Sequence, residues 1–321
     1  MTKIGVGLYG TNGHQIQQAL VDHPDAEAVA VAAFPEDAIP EPLRAGKALA
    51  RYDTLEDLLR DDSVQLVSLC SPRRADQAAD AVRCLEAGRD VYAEKPCALT
   101  EADLDRILET AARTGRRFHE MAGTAFDQPY LEMRTLVAEG LIGEVVQVYA
   151  QKSYPLHDKR PQDEQVDGGL TLQNGVHALR FVEHVAGVRA ATIFARESQL
   201  GNPKPGGLRI ASSMVATLEN GGLASMVANY CNPPSFGSWG NECVRIFGTK
   251  GYLDASDGGQ RTRLVLHDRD AGPLTPREPA RPYHDRIFGT LLGRETMPLP
   301  PEEEVHPTRM VIRARDSARK G

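Results

Sequence analysis

The chain has 321 residues, 41% of them hydrophobic and 25% charged, with 37 Lys and Arg against 44 Asp and Glu. At roughly 100–200 residues per domain this length predicts two domains, and a formal charge of −7 gives no general electrostatic footprint for nucleic acid, so no nucleic-acid partner is expected. Five cysteines, odd in number and never in Cys-x-x-Cys pairs, point to neither a disulfide framework nor a zinc site.

The N-terminus lacks a long apolar h-region, and no stretch reaches about 18 apolar residues, so an unexported, cytoplasmic protein without a membrane partner is expected. His177 and His184 stand seven apart with no carboxylate or Cys at ligand spacing, and no metal is expected.

From residue 3 to about 122, short apolar runs alternate with amphipathic patterns, the signature of a parallel sheet wound by helices. Strands are predicted at Lys3–Tyr9, Ala28–Phe34, Val64–Cys70, Asp90–Lys95 and Arg116–Ala122. A helix is expected to open directly after the first strand, and others over Ala75–Ala87 and Glu101–Thr114. Thr100 with Asp103 makes a capping-box-like start to the latter, and Gly88 and Gly115 stand at C-cap positions. After Gln128-Pro129 a helix runs to Glu139 and ends at Gly140. The runs Val145–Tyr154, Ala191–Ser198, Ser212–Glu219, Leu223–Tyr230, Cys243–Phe247 and Arg263–His267 then alternate with period two, which predicts a large, mostly antiparallel open sheet. One helix from about Leu170 to Val185 interrupts it, and a last one spans about Pro307–Ala318. Asn202–Leu208, and Met297–Pro301 with the three glutamates after it, read as solvated loops.

The first strand ends in Gly10-Thr11-Asn12-Gly13-His14. Such a turn lets backbone N–H groups approach a pyrophosphate; equally, it lets strand and helix pack closely. Asn12 stands at the usual middle glycine, a residue that tolerates positive φ. The third strand ends in Ser71-Pro72-Arg73-Arg74-Ala75-Asp76 and the fourth in Glu94-Lys95-Pro96, and strand ends of an open parallel sheet face the ligand crevice.

The glycine turn, Ser71-Pro72, Glu94-Lys95-Pro96, Leu141-Ile142-Gly143-Glu144-Val145 and Gly168-Gly169 followed by Gly175-Val176-His177 resemble, in order and spacing, the Gfo/Idh/MocA oxidoreductases over nearly the whole chain. The resemblance implies an α/β protein: a doubly wound Rossmann domain over 1–122 binding NAD or NADP, then an α/β domain over 123–321 for substrate binding and oligomerisation. Cofactor contacts are expected from Gly10, Thr11, Asn12, Gly13, His14, Phe34, Ser71, Pro72, Asp76, Glu94, Lys95 and Pro96. Three positions depart from the family. Gln173 stands where Asp is common, four residues before His177, so that both would face one pocket. Ala33-Phe34-Pro35 lacks the acid often found for the adenosine ribose, leaving Glu36 or Asp37 as substitutes with no adjoining base. Arg73 and Asp76 replace a more usual Asn and His.

The implied reaction is hydride transfer between a sugar, polyol or related carbinol and the nicotinamide, with His177 accepting the hydroxyl proton and Lys95 orienting the oxygen, or the two roles exchanged. Gln173 tunes that centre; Tyr154, His157 and Asn174 are expected to touch substrate. Trp239 reads as a lid or an inter-subunit contact. Val, Met and Tyr on Leu223–Tyr230 and Val145–Tyr149 predict a homodimer or homotetramer packed through the second sheet. Two other readings are carried: a glycoside-cleaving enzyme that uses NAD without net redox, and a non-catalytic dinucleotide-binding protein.

Overall fold

The computed structural model describes residues 3–45, 49–121 and 123–320. The chain divides into two units. The first comprises Met1–Met121, Gln165–Asp167 and Tyr283–His306, and the second Ala122–Glu164, Gly168–Pro282 and Pro307–Gly321. A single boundary near residue 122 therefore leaves out the return of 165–167 and 283–306 to the first unit.

In the first unit, β1 (Ile4–Tyr9), β2 (Ala26–Ala32), β3 (Ala50–Tyr52), β4 (Leu66–Leu69), β5 (Asp90–Glu94) and β6 (Phe118–Met121) form a parallel sheet of order β3-β2-β1-β4-β5-β6, the Rossmann order. The central strands read as continuous apolar runs because both faces are covered: β4 and β5 are buried throughout and β1 up to Tyr9. With them come α1 (Glu41–Ala45), α2 (Leu55–Leu59), α3 (Gln77–Glu86) and α4 (Glu101–Thr114). Ala81 and Leu85 of α3 and Leu104 and Ile107 of α4 join Val67, Val91 and Phe118 in one core, each large side chain contributing about 1.5–3 kcal/mol. The Thr100 hydroxyl accepts the Asp103 N–H at 3.1 Å, and Gly115 at φ 67° ends α4.

Some expected elements differ. No regular helix follows β1: Ala19 and Val21 bond back only three residues, to Ile16 and Gln18. The Gln15 carboxamide takes the Tyr9, Gly10 and Ser68 carbonyls and the Ile16 N–H, Asp22 sits at φ 55°, and the residue before Pro24 resists helical backbone. β2 ends at Ala32 because Ala33, at φ 49°, turns the chain, so Phe34 lies beyond the strand. β3, three residues long, is too short for a periodic signal. Ala122, the expected end of the strand that begins at Arg116, lies outside the described residues.

In the second unit, α5 (Tyr130–Ala138) precedes β7 (Val145–Ser153), and the short helices α6 (Glu164–Asp167), α7 (Gly169–Gln173) and α8 (Gly175–Arg180) come before β8 (Ala190–Ser198), β9 (Ala211–Leu218), β10 (Leu223–Asn229), β11 (Asn241–Gly248), β12 (Gly251–Ser256), β13 (Arg261–Leu266) and β14 (Asp270–Gly272). The sheet has order β14-β13-β12-β11-β7-β10-β9-β8 and is antiparallel except where β7 meets β10. One face, with Val148, Met214, Ala224, Met226 and Ile246, is buried and packs on α7 and α8; the other leaves Val146, Tyr149, Phe194, Val215, Leu223 and Phe247 exposed. Met226 and Tyr230 are buried, so they are not part of the exposed face that the sequence assigned to them.

The single helix expected over Leu170–Val185 is broken. α7 stops at Gln173, Asn174 (φ −104°) intervenes, and a π-turn at Phe181–Val185 follows α8. The Asn174 amide is pulled to the Asn229 carbonyl (3.1 Å), and Gly175 lets the backbone close on the sheet, since a Cβ there would stand 3.0 Å from Met214 Cε.

The helix α9 (Tyr283–Leu291) precedes α10 (Pro301–Arg319), which starts six residues before the expected Pro307. Pro301 suits the first helical position and Glu302–Glu304 the positive end of the helix dipole, so the glutamates read as loop are helical. Among the described residues no helix is long and apolar enough to cross a membrane.

Candidate active site

Strand order in the first unit reverses between β1 and β4, and the glycine turn and Ser71-Pro72 follow those two strands. Gly10 (φ 68°) and Gly13 (φ 139°) are required as glycine. A Cβ on Gly10 would enter the Cys70 carbonyl, and one on Gly13 would come within 2.5 Å of Glu94 Cδ. Asn12 does not use positive φ; its amide instead donates to the Pro72 (3.2 Å) and Val166 (2.7 Å) carbonyls. Thr11, Gly13 and His14 are exposed.

Beneath the turn lies a buried polar network. Glu94 accepts the His14 backbone N–H at 2.6 Å and the His14 ring at 3.0 Å. Burial pushes the Glu94 carboxyl up, but the charges of His14, Lys95 and Arg74 and the His14 hydrogen bond outweigh burial and hold it at about 2. Arg74, itself buried, donates to the Asn12 carbonyl (2.5 Å) and to Gln77 (2.7 Å). Ser71 is closed off, its N–H on Gln77 and its hydroxyl on Asp80. Lys95 is 1% exposed and is joined to Pro96 by a cis peptide bond. Pro72, Arg73 and Asp76 are exposed and Phe34 half-buried. Glu36 is exposed and doubly hydrogen-bonded by Arg51 at 3.0 Å, so the basic neighbour absent from its own stretch of sequence arrives from β3.

In the second unit the Tyr154 hydroxyl lies 3.2 Å from His177 Nε2, with Thr124 Oγ1 3.4 Å from His177 Nδ1. Gln173 faces the same cluster by another route, accepting the Tyr230 hydroxyl at 3.1 Å. The Arg160 guanidinium joins the two pairs, 4.0 Å above the Tyr230 ring and 5.8 Å from that of Tyr154. Half-exposed Trp239 closes this side, 6.0 Å from Tyr154 and 5.7 Å from His157. Burial and the Arg160 and Lys159 charges lower the pKa of His157. Asn174, expected to touch substrate, is fully buried, and its amide donates to the Asn229 carbonyl at 3.1 Å, which braces the helix break.

Residues 3–121 match the model of the oxidoreductase family with its NAD-binding Rossmann fold, and residues 130–254 match the GFO/IDH/MocA C-terminal domain. The chain belongs to the Gfo/Idh/MocA oxidoreductase family. It is 25% identical over 268 residues to the myo-inositol 2-dehydrogenase of Thermotoga maritima, covering 83% of this chain and 77% of that one. A solved Thermotoga maritima structure described as an oxidoreductase superposes with a TM-score of 0.86 at 22% identity, covering 99% and 98% of the two chains. The WlbA dehydrogenase of Bordetella pertussis, solved with NADH and UDP-GlcNAcA, gives 0.81 at 19%, covering 100% and 98%.

The chain is thus an NAD-binding Gfo/Idh/MocA oxidoreductase, and its first unit fits that cofactor. The turn Gly10–Gly13, glycine at both ends with Thr11 and Gly13 exposed, stands at the switch point where such folds take dinucleotides. The helix N-terminus expected to assist there is absent. Two side chains of this family member escaped the sequence reading. Arg74 lay in a run read only for Arg73 and Asp76, and Arg160 lies in a stretch from which no site residue was drawn. Each follows another cation in sequence, and nothing local signals that it is buried.

Proposed function

We propose that this Gfo/Idh/MocA oxidoreductase moves a hydride between the nicotinamide of NAD or NADP and a carbinol carbon of a sugar, polyol or related hydroxy or keto compound. The observation that carries this reading is the buried His177–Tyr154 hydrogen bond, which holds an imidazole where it can exchange a proton. When bound, the dinucleotide supplies the ring that takes or gives the hydride. His177 accepts the hydroxyl proton, its ring held between Tyr154 and Thr124. Lys95 orients the reacting oxygen, and the Gly10–Gly13 turn holds the pyrophosphate. The name of the 25% identical relative, an inositol dehydrogenase, supports a polyhydroxylated substrate.

A screen of neutral sugars, inositols and sugar acids with NAD⁺ and NADP⁺, read as absorbance of the reduced cofactor, tests the proposal. Net reduction with at least one of these alcohols is expected. Cofactor binding without net reduction by any of them overturns it in favour of a redox-neutral or non-catalytic role.

We propose further that the protein works in the cytoplasm, in keeping with its free cysteines, and that it is a homodimer or homotetramer through the exposed sheet face of Tyr149, Phe194, Val215 and Phe247. A dimer or tetramer is expected in equilibrium sedimentation at micromolar concentration; a monomer sinks the assembly.

A further inference from the structure

Among the described residues, Arg160 is a buried cation without a counter-ion. It is 8% exposed, and the one hydrogen-bond acceptor it meets among the described residues is the Pro155 carbonyl, 3.2 Å from Nη2. Its Nε is buried with no acceptor among the described residues. The rest of its surroundings are ring faces: Tyr230 at 4.0 Å, Trp239 at 5.7 Å and Tyr154 at 5.8 Å. Glu242 pairs with Lys152, whose ammonium lies 4.9 Å from the Tyr154 ring, and Asp158, two residues before Arg160, is exposed and makes no ion pair with it among the described residues. Gln173, holding the Tyr230 hydroxyl, is a neutral amide and brings no negative charge. Aromatic faces offset only part of the cost of desolvating a guanidinium, and an ion kept from water calls for a paired anion.

The position of this cation matters as much as its isolation. Tyr154 presents its ring to Arg160 and its hydroxyl to His177 Nε2 at 3.2 Å, so the two groups stand on one phenol. We propose that the substrate is a sugar acid, a uronate or aldonate, whose carboxylate seats on Arg160 while a ring or chain hydroxyl reaches His177. The inference rests on the dehydrogenase reading of His177 and narrows its substrate class. A guanidinium offers a planar fork that matches a carboxylate with two parallel N–H···O bonds, whereas a neutral polyol leaves the charge unpaired.

Trp239 is the single tryptophan of the chain and lies within the cluster, which makes its fluorescence a reporter of binding independent of turnover. The full-length protein is titrated with D-glucuronate, D-galacturonate and D-gluconate, with D-glucose and D-galactose as neutral partners, and with glucose 6-phosphate and acetate. At least one acid is expected to change Trp239 emission saturably with a Kd at least tenfold below its neutral partner's, and Arg160→Gln is expected to collapse that ratio toward one. If circular dichroism shows that Arg160→Gln is unfolded, Arg160→Lys keeps the charge without the fork and is expected to reduce the ratio severalfold. Equal affinity for acid and neutral sugar, no response to any acid, tighter binding of glucose 6-phosphate, an effect of acetate as large as that of the acids, or a ratio that survives both variants each overturns the proposal. Should neutral polyols reduce NAD⁺ while no acid binds, this inference alone fails. If no alcohol of either kind reduces NAD⁺, the dehydrogenase reading fails.

Discussion

The Tyr154 hydroxyl and His177 Nε2 share a hydrogen bond of 3.2 Å between side chains that are each 5% exposed. One proton lies between them, so removing the phenol oxygen deprives a buried imidazole of the partner that orients it. With a substrate in hand, His177→Ala is expected to lower kcat/KM by about 10²-fold or more, the scale of a positioned acid–base group. Tyr154→Phe, which leaves the base but loosens it, is expected to lower it by roughly tenfold. Initial rates decide the matter; full activity of His177→Ala would mean that the histidine only fills the core.

Gly13 is the second test. At φ 139°, with Glu94 Cδ 2.5 Å from the place a Cβ would take, even alanine is strained and pushes on the carboxylate that holds His14. Gly13→Val therefore threatens the fold as well as the pyrophosphate. Gly13→Ala is expected to cost about 1–3 kcal/mol of stability and to weaken NADH binding. Unfolding curves and calorimetric titration of NADH check both, and unchanged affinity in a folded variant would remove the turn from the cofactor site.

Glu94 gives the fold a signature in acid. Its carboxyl is lowered from 4.5 to about 2 in the folded chain, so ionisation stabilises the fold above the unfolded value and that stability is lost as pH falls toward 2. A shift of this size corresponds to on the order of 3 kcal/mol. Glu94→Gln keeps an acceptor for the His14 N–H but cannot ionise. The stability gap between wild type and Glu94→Gln is expected to be widest above pH 5 and to close between about pH 4.5 and 2, measured by urea unfolding at each pH. A gap independent of pH would show that the charge contributes nothing.

Elements with a strong period and a local stop were legible in the sequence. α4 runs from Glu101 to Thr114 as read, because Thr100 and Gly115 cap it by contacts within its own stretch. The alternating strands β7 to β10 were legible within a residue or two, one face of each being buried. Reading failed where distant groups intervened. Gln15 spends its amide on three carbonyls and dissolves the helix after β1, and Asn174 breaks a helix through an acceptor 55 residues away. Lys95, His177 and Gln173 could be named as candidates from motif spacing. Arg160 could not, since what isolates it is that no carboxylate among the described residues pairs with it, and no local pattern records that.

The last prediction concerns a contact hidden in a stretch that reads as solvated. Glu304 is fully buried, its two oxygens accepting the His119 ring and the Glu120 N–H, each at 2.8 Å. It ties the start of α10 to the edge strand β6. Glu304→Ala strands both donors away from water, and hydrogen bonds to a charged group contribute about 1.5–3 kcal/mol each, so a loss of about 3 kcal/mol or more is expected. Glu304→Gln retains an acceptor for the Glu120 N–H, and about half that loss is expected. Glu302, two residues earlier and exposed, is the control, with Glu302→Ala expected to stay within about 0.5 kcal/mol of wild type. Urea midpoints at pH 7 order the three variants; if Glu304→Ala melts with Glu302→Ala, the buried carboxylate does no more than a surface one, and α10 is held by its apolar residues alone.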